Sequence, residues 1–193
     1  MNLPENTRLI FDLPFVLANY EGVIPKSTFD IFDYLEQFTS IESVAVTCNQ
    51  GGAAWYLTEP SSTTKFKSPE KVLRMIEGID HALSKVIKID WFVALHPGEK
   101  LIQMLNGDED ACNELAYEVD NIWKFDLAHQ IKSLTTFTDY FDRLPELRMV
   151  EYAIGDSKEF LFIGNENETK VITTACKVGC IPYEEITEFR KRF

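Results

Sequence analysis

The sequence predicts an α/β protein built on a doubly wound, mostly parallel sheet with helices on both faces. Two observations predict it: short continuous apolar runs recur along the chain, and amphipathic stretches at helical spacing separate them. A third sets the scale. The chain has 193 residues, 45% of them hydrophobic, with no internal repeat, low-complexity tract or linker, which is the content of a single domain over residues 1–193.

Taken in order, Arg8-Leu-Ile-Phe-Asp-Leu13 reads as a buried strand that carries a carboxylate near its end. Ser27 to Phe38 places Phe29, Ile31, Phe32, Leu35 and Phe38 at helical spacing, with Ser27 or Thr28 as the cap. Ser43-Val-Ala-Val-Thr-Cys48 is a second buried strand, and Asn49-Gln-Gly-Gly52 is its turn, where glycine's freedom at positive φ is expected to be used. Ser68-Pro69-Glu70 opens a helix, with Ser at the cap, Pro at the first position and an acid in the first turn. It should run to about Val86 with Val72, Met75, Ile76, Ile79 and Leu83 on one face. Ile89 to Leu95 is a third strand, stopped by His96-Pro97-Gly98.

From Glu99 to Thr138 the chain reads as mostly helical, broken near Asn106-Gly107-Asp108. Leu147 to Ile154 is a helix, Phe160-Leu-Phe-Ile163 a fourth strand, Val171 to Val178 a helix that stops at Gly179, and Ile181-Pro182 a short last strand. In a parallel sheet ligands sit at the carboxyl ends of the strands, and the polar loops after residues 12, 47, 96 and 163 all fall there.

Composition narrows the function classes. Asp plus Glu number 31 against 19 Lys plus Arg, a net charge of −12. Such a field argues against a nucleic-acid binder and against adsorption to anionic lipid, both of which need clustered Lys and Arg. The four cysteines (Cys48, Cys112, Cys176, Cys180) are too sparse for a disulfide framework, and the scattered His81, His96 and His129 argue against structural zinc. The N-terminal residues lack a basic segment followed by a long apolar one, and no apolar run is long enough to span a bilayer. A cytoplasmic chain is the expectation.

Four segments together resemble the haloacid dehalogenase superfamily, in particular its short-capped phosphatases, similar to the histidinol-phosphate and polynucleotide-kinase phosphatases. Ile10-Phe-Asp-Leu-Pro-Phe-Val-Leu17 stands where that family has FDxDGTL, and Val46-Thr-Cys-Asn-Gln-Gly-Gly52 where it has a strand ending in Thr/Ser-Asn-Gln-Gly. Arg143-Leu-Pro-Glu-Leu-Arg-Met149 is similar to RKPxPGM. Phe160-Leu-Phe-Ile-Gly-Asn165, followed by Ala175-Cys-Lys-Val-Gly179, is similar to the strand, Gly-Asp loop and helix of the fourth motif, and His96-Pro97 falls where these phosphatases carry His-Pro. The resemblance spans roughly residues 7 to 189 and implies a haloacid-dehalogenase-like sheet with a helical insertion over residues 99–142.

The resemblance also implies a chemistry, which the residues only partly keep. Asp12 holds the position of the nucleophile that attacks phosphorus, but the acid/base position falls on Pro14, which has no ionisable group. The lysine that should pair with the phosphate is Leu144, with Arg143 and Arg148 as neighbouring cations. The Asp that would help Asp12 hold Mg²⁺ is Asn165, next to Glu166; a neutral oxygen binds that hard cation less well. Thr47, Cys48, Asn49, Gln50 and Arg143 are the phosphate-binding candidates. Only one of Thr47 and Cys48 can face the phosphate, because neighbouring strand residues point oppositely.

The expectation is a catalytically degenerate phosphatase-like domain that acts by protein binding or assembly, with no cofactor. The alternative is a Mg²⁺-dependent phosphohydrolase that uses Asp12 as nucleophile on an unknown phosphomonoester. A binding module for a phosphorylated ligand, keeping Asp12, the Gln50-Gly51-Gly52 loop and Asn165, is a third reading. The acidic run Asp108-Glu109-Asp110, with Glu114, Glu118 and Asp120, lacks the ligand spacing of a calcium loop and reads as a solvated helix face. Trp123, Phe125, Phe137, Tyr140 and Phe141 sit among acids in the 99–142 stretch. They either complete the core or present a partner surface, for which Trp123, Phe125 and Tyr140 are the candidate anchors, and the net charge favours a partner with a basic face.

Overall fold

The computed structural model describes residues 7–13, 22–37, 40–60, 66–125, 131–144, 146–164 and 169–172 and the backbone of 180–182. The expectations placed on Pro14, Asn165 and Glu166, on His129 and Cys176, and on the Ala175–Gly179 step lie outside these residues.

Six strands form one sheet: β1 (Arg8–Leu13), β2 (Ser43–Asn49), β3 (Lys88–Ala94), β4 (Leu134–Phe137), β5 (Phe160–Gly164) and β6 (Cys180–Pro182). Their order is β4-β3-β2-β1-β5-β6, and all five pairings are parallel. The chain steps outward from β1 to β4, then returns to the other side of β1 for β5 and β6. Two layers of helix result, because right-handed crossovers in opposite directions put their helices on opposite faces.

On one face lie α1 (Lys26–Leu35), α2 (Gly51–Thr58), α3 (Pro69–Leu83) and α5 (Glu109–Phe125), with the short α4 (Glu99–Met104) leading into α5. Their buried residues, among them Ile31, Leu35, Ala54, Ile76, Leu83 and Val119, pack on Leu9, Phe11, Leu13, Val46, Trp91 and Ile163 of the sheet. On the other face α6 (Arg148–Ile154) sets Met149, Val150 and Ala153 against Ile10, Ala45, Ala94 and Phe162. The alternation of the strands between two dry layers explains their unbroken apolar runs.

Local chemistry shapes each helix. Ser68 Oγ accepts the Lys71 N–H at 3.4 Å and caps α3 as expected. The helix ends at Leu83 rather than Val86. Helix α1 begins at Lys26 after Pro25 with no side-chain cap, so neither Ser27 nor Thr28 caps it. Asp108 Oδ1 accepts the Ala111 N–H at 3.0 Å at the start of α5. Asn106 and Gly107, with φ of 59° and 85°, make the break before it. The fully buried Trp91 meets its polar need by donating its indole N–H to Asp80 Oδ1 at 2.7 Å. At the amino ends of the strands, Arg8 donates to Asp90 Oδ2 at 2.7 Å, Ser43 Oγ at 2.8 Å and the Ala153 carbonyl at 3.3 Å, tying β1 to β2, β3 and α6.

Two expectations are corrected. The stretch 99–142 is not a helical insertion: it is the α4–α5 crossover followed by a strand of the sheet, β4, paired in parallel with β3 from Trp91↔Leu134 to Ala94↔Phe137. The turn Asn49–Gly52 is also shorter than expected, because Gly51 already starts α2. No helix of the described residues is long and apolar enough to cross a membrane.

Candidate functional site

The sheet reverses its winding between β1 and β5, and in sheets of this kind ligands bind at the carboxyl edge of that switch point. Asp12 stands at that point, 3% exposed. It is registered with Thr47 on β2, so the two share a face of the sheet. Gly164 closes the crevice from β5. A Cβ there would come within 2.6 Å of the Phe162 ring and 3.3 Å of Asp12 Cβ, so only glycine leaves room for the carboxylate.

The register separates the phosphate-binding candidates. Thr47 faces Asp12's side and donates its hydroxyl to the Phe11 carbonyl at 3.4 Å. Cys48 points into the opposite core, where burial first and the charge of Asp12 second push its thiol far above the usual range, against a hydrogen bond to Gln50 that pulls it down. A thiol so placed is an inert core group. The question that sequence left open is settled in favour of Thr47 as the residue on Asp12's face.

Asn49 is committed elsewhere. Its Nδ2 donates to the Leu144 carbonyl at 2.8 Å, and its Oδ1 accepts the Leu144 N–H at 2.9 Å. This two-point clamp holds the segment after β4 onto the end of β2 and fixes the orientation of the amide. Leu144 itself is 1% exposed and packs with Ala94, Phe137, Met149 and Val150. Leu144, where the resemblance implies a lysine, is thus a core residue. Gln50 bonds through its backbone N–H to the Ala94 carbonyl at 2.7 Å and bridges β2 to β3.

Arg143 is the cation nearest in sequence, and it turns towards β3. Its guanidinium lies against Gly98, where any Cβ would overlap it. Around Gly98 gathers a second polar cluster. The fully buried His96 accepts the Gly98 N–H on Nδ1 at 3.0 Å, and its ring meets Tyr140 edge-on at 5.5 Å. Tyr140 donates its hydroxyl to Glu99 Oε1 at 3.2 Å, and burial followed by that carboxylate raises its pKa. His96 is lowered to about 4, by burial first and by the Arg143 charge second, against a smaller opposing pull from Asp139. Gly51 backs onto this loop, since a Cβ there would lie 2.5 Å from Pro97 Cα and 2.7 Å from the His96 carbonyl. Its glycine is required by close approach and not, as expected, by positive φ. His-Pro-Gly after an apolar run was the visible signal for this cluster, and its pairing with Arg143 was not visible at all.

The partner-surface candidates divide. Trp123 is corrected to a core residue: it is 6% exposed, packs with Ala116 and Val119, and donates its indole N–H to the Pro69 carbonyl at 3.1 Å. Phe125, two residues on, is 88% exposed. Tyr140 is half-buried in the cluster just described. Asp120, expected on a solvated face, is buried, where it accepts the Thr136 hydroxyl at 2.6 Å and the Lys124 ammonium and pins α5 to β4. Among the described residues no three His, Cys, Asp or Glu side chains gather as a metal site.

The fold and the site together define an α/β protein of Rossmann-like architecture with a polar carboxyl edge and one buried carboxylate at the switch point. Comparison of the chain with protein-family models, with curated proteins and with solved structures finds no match.

Proposed function

We propose that the chain is a phosphatase-like domain of the haloacid dehalogenase kind whose catalytic apparatus is degenerate and which acts through contacts with a protein partner. The observation that carries this reading is Leu144. Hydrolysis of a phosphomonoester by a carboxylate needs a cation beside the nucleophile to hold the phosphate, and that position is an aliphatic side chain sealed in the core and clamped by Asn49. The Pro14 at the acid/base position supports the same reading, since losing a general acid costs about two to four powers of ten in rate. The exposed Phe125 and Phe141 and the half-exposed Tyr117 offer apolar anchors within an acidic rim on residues 99–142, the composition of a protein-binding surface.

A second reading is favoured by one specific feature: the burial of Asp12 at the switch point, on the same face as the Thr47 hydroxyl, as a Mg²⁺-dependent phosphohydrolase would have it. Turnover of p-nitrophenyl phosphate with Mg²⁺ separates the two. Activity near background, unchanged in Asp12→Asn, is expected. A robust Mg²⁺-dependent rate that disappears in Asp12→Asn contradicts the degenerate reading.

A further inference from the structure

The cluster around Gly98 has a chemical property that the Asp12 crevice lacks. Because the Gly98 N–H can only donate, His96 Nδ1 must present its lone pair, and a neutral imidazole then carries its proton on Nε2. That Nε2–H is buried and meets no acceptor among the described residues. The Arg143 Nε–H, whose guanidinium lies against the same glycine, is likewise buried and meets none among the described residues. Two buried donors left unmet cost about 1–3 kcal/mol each, so an acceptor that met both would recover that cost.

Three of the nearby carboxylates bond other groups. Glu99 accepts from Tyr140, while Asp139 lies 3.7 Å and Asp142 3.3 Å from the Arg148 guanidinium. Among the described residues no carboxylate reaches ion-pair distance of Arg143, although the chain carries 31 acids. The cluster also stands at the carboxyl edge of β3 and β4, where a parallel sheet binds ligands, and it is two strands away from Asp12.

We propose that His96 Nε2–H and Arg143 Nε–H form a binding site for an oxyanion group, a phosphate or a carboxylate borne by a small molecule, distinct from the Asp12 crevice. An Arg guanidinium binds oxyanions through charge-assisted bonds about twice as strong as neutral ones, and the neutral imidazole adds a directional donor. Gly98 is required because any side chain there would displace the guanidinium. Tyr140 walls the ring on one side. Arg143 is also a phosphate-binding candidate of the family resemblance, but the site takes nothing from Asp12, so anion binding here and phosphatase turnover at Asp12 succeed or fail separately.

The test is calorimetric titration of the intact chain with inorganic phosphate and, separately, with succinate at matched ionic strength. Saturable binding of at least one is expected, and the stronger of the two names the ligand class. His96→Asn keeps an acceptor for the Gly98 N–H while removing the Nε2–H, and Arg143→Met keeps the stem while removing the charge. Each should weaken binding about tenfold or more, while Lys100→Met, which removes an exposed charge nearby, leaves it unchanged. In the wild-type chain the His96 Nε2–H resonance, assigned by its loss in His96→Asn, should shift on saturation, a readout independent of how well the variants fold. Failure of both anions to bind or to move that resonance overturns the proposal, as does binding that is undiminished in both variants.

Discussion

A histidine with one ring nitrogen committed to a backbone N–H has little use for a second proton, and His96 is such a residue. Held at about 4 by burial and by Arg143, against an ordinary value of 6.5, it refuses a proton that the unfolded chain accepts. Its contribution to stability is thus complete above pH 6.5 and is lost as pH falls towards 4, by about 3 kcal/mol. Asp142 works the other way, because burial raises its carboxyl and favours the protonated form in the folded chain at low pH. Urea unfolding at pH 7 and pH 4.5 isolates the first effect: the wild-type chain should lose more stability between these values than His96→Asn. Equal losses in the two chains would show that His96 is protonated as easily folded as unfolded. At Asn49 the expected defect is structural. Asn49→Ala leaves the Leu144 N–H and carbonyl without their partners and should cost about 1–3 kcal/mol by the same measurement. A neutral variant would mean that the clamp holds nothing in place.

Among the elements, α5 shows most clearly how a sequence can be read and misread. Cys112, Ala116, Val119 and Trp123 fall at spacings of four, three and four, one buried stripe on a helix whose other faces are acidic. The helical character of the stretch was legible, yet the aromatics among acids also had the composition of a partner surface, and only packing assigns Trp123 to the core and Phe125 to solvent. Trp123→Ala should therefore cost about 3–5 kcal/mol, whereas Phe125→Asp should change stability by less than about 0.5 kcal/mol. Thermal unfolding of the two variants checks this, and a stable Trp123→Ala would return that residue to the surface. Strand β4 was hidden for a related reason. Leu134-Thr-Thr-Phe137 is short, half polar and at the sheet's edge, so it lacks the continuous apolar run that marked β1, β2, β3 and β5. Helix α2 was hidden by its two leading glycines, and Ala53 and Ala54 anchor it in the core.

Across the whole molecule, the doubly wound class and the carboxyl edge were legible because they follow from the order of apolar and amphipathic segments. The inner geometry of the site was not. Both faces of a parallel sheet are dry, so no hydrophobic alternation could say whether Thr47 or Cys48 lies beside Asp12; the β1–β2 register decides it. Nor could sequence show that the segment after β4 would deliver Arg143 to Gly98 and bury Leu144, since that depends on a contact between Asn49 and Leu144, 95 residues apart. The outcome is a sheet with a buried carboxylate, Asp12, at its switch point and Leu144 packed in the core, which under the proposed function is the position that has lost its cation. Fluorine NMR of the chain with Mg²⁺ and beryllofluoride, a mimic of a phosphoryl group on a carboxylate, tests this most directly. The account predicts no bound resonance that depends on Asp12, because the resembled lysine position is Leu144 in the core and the acid/base position is Pro14. A slowly exchanging bound signal that requires Mg²⁺ and vanishes in Asp12→Asn would contradict it.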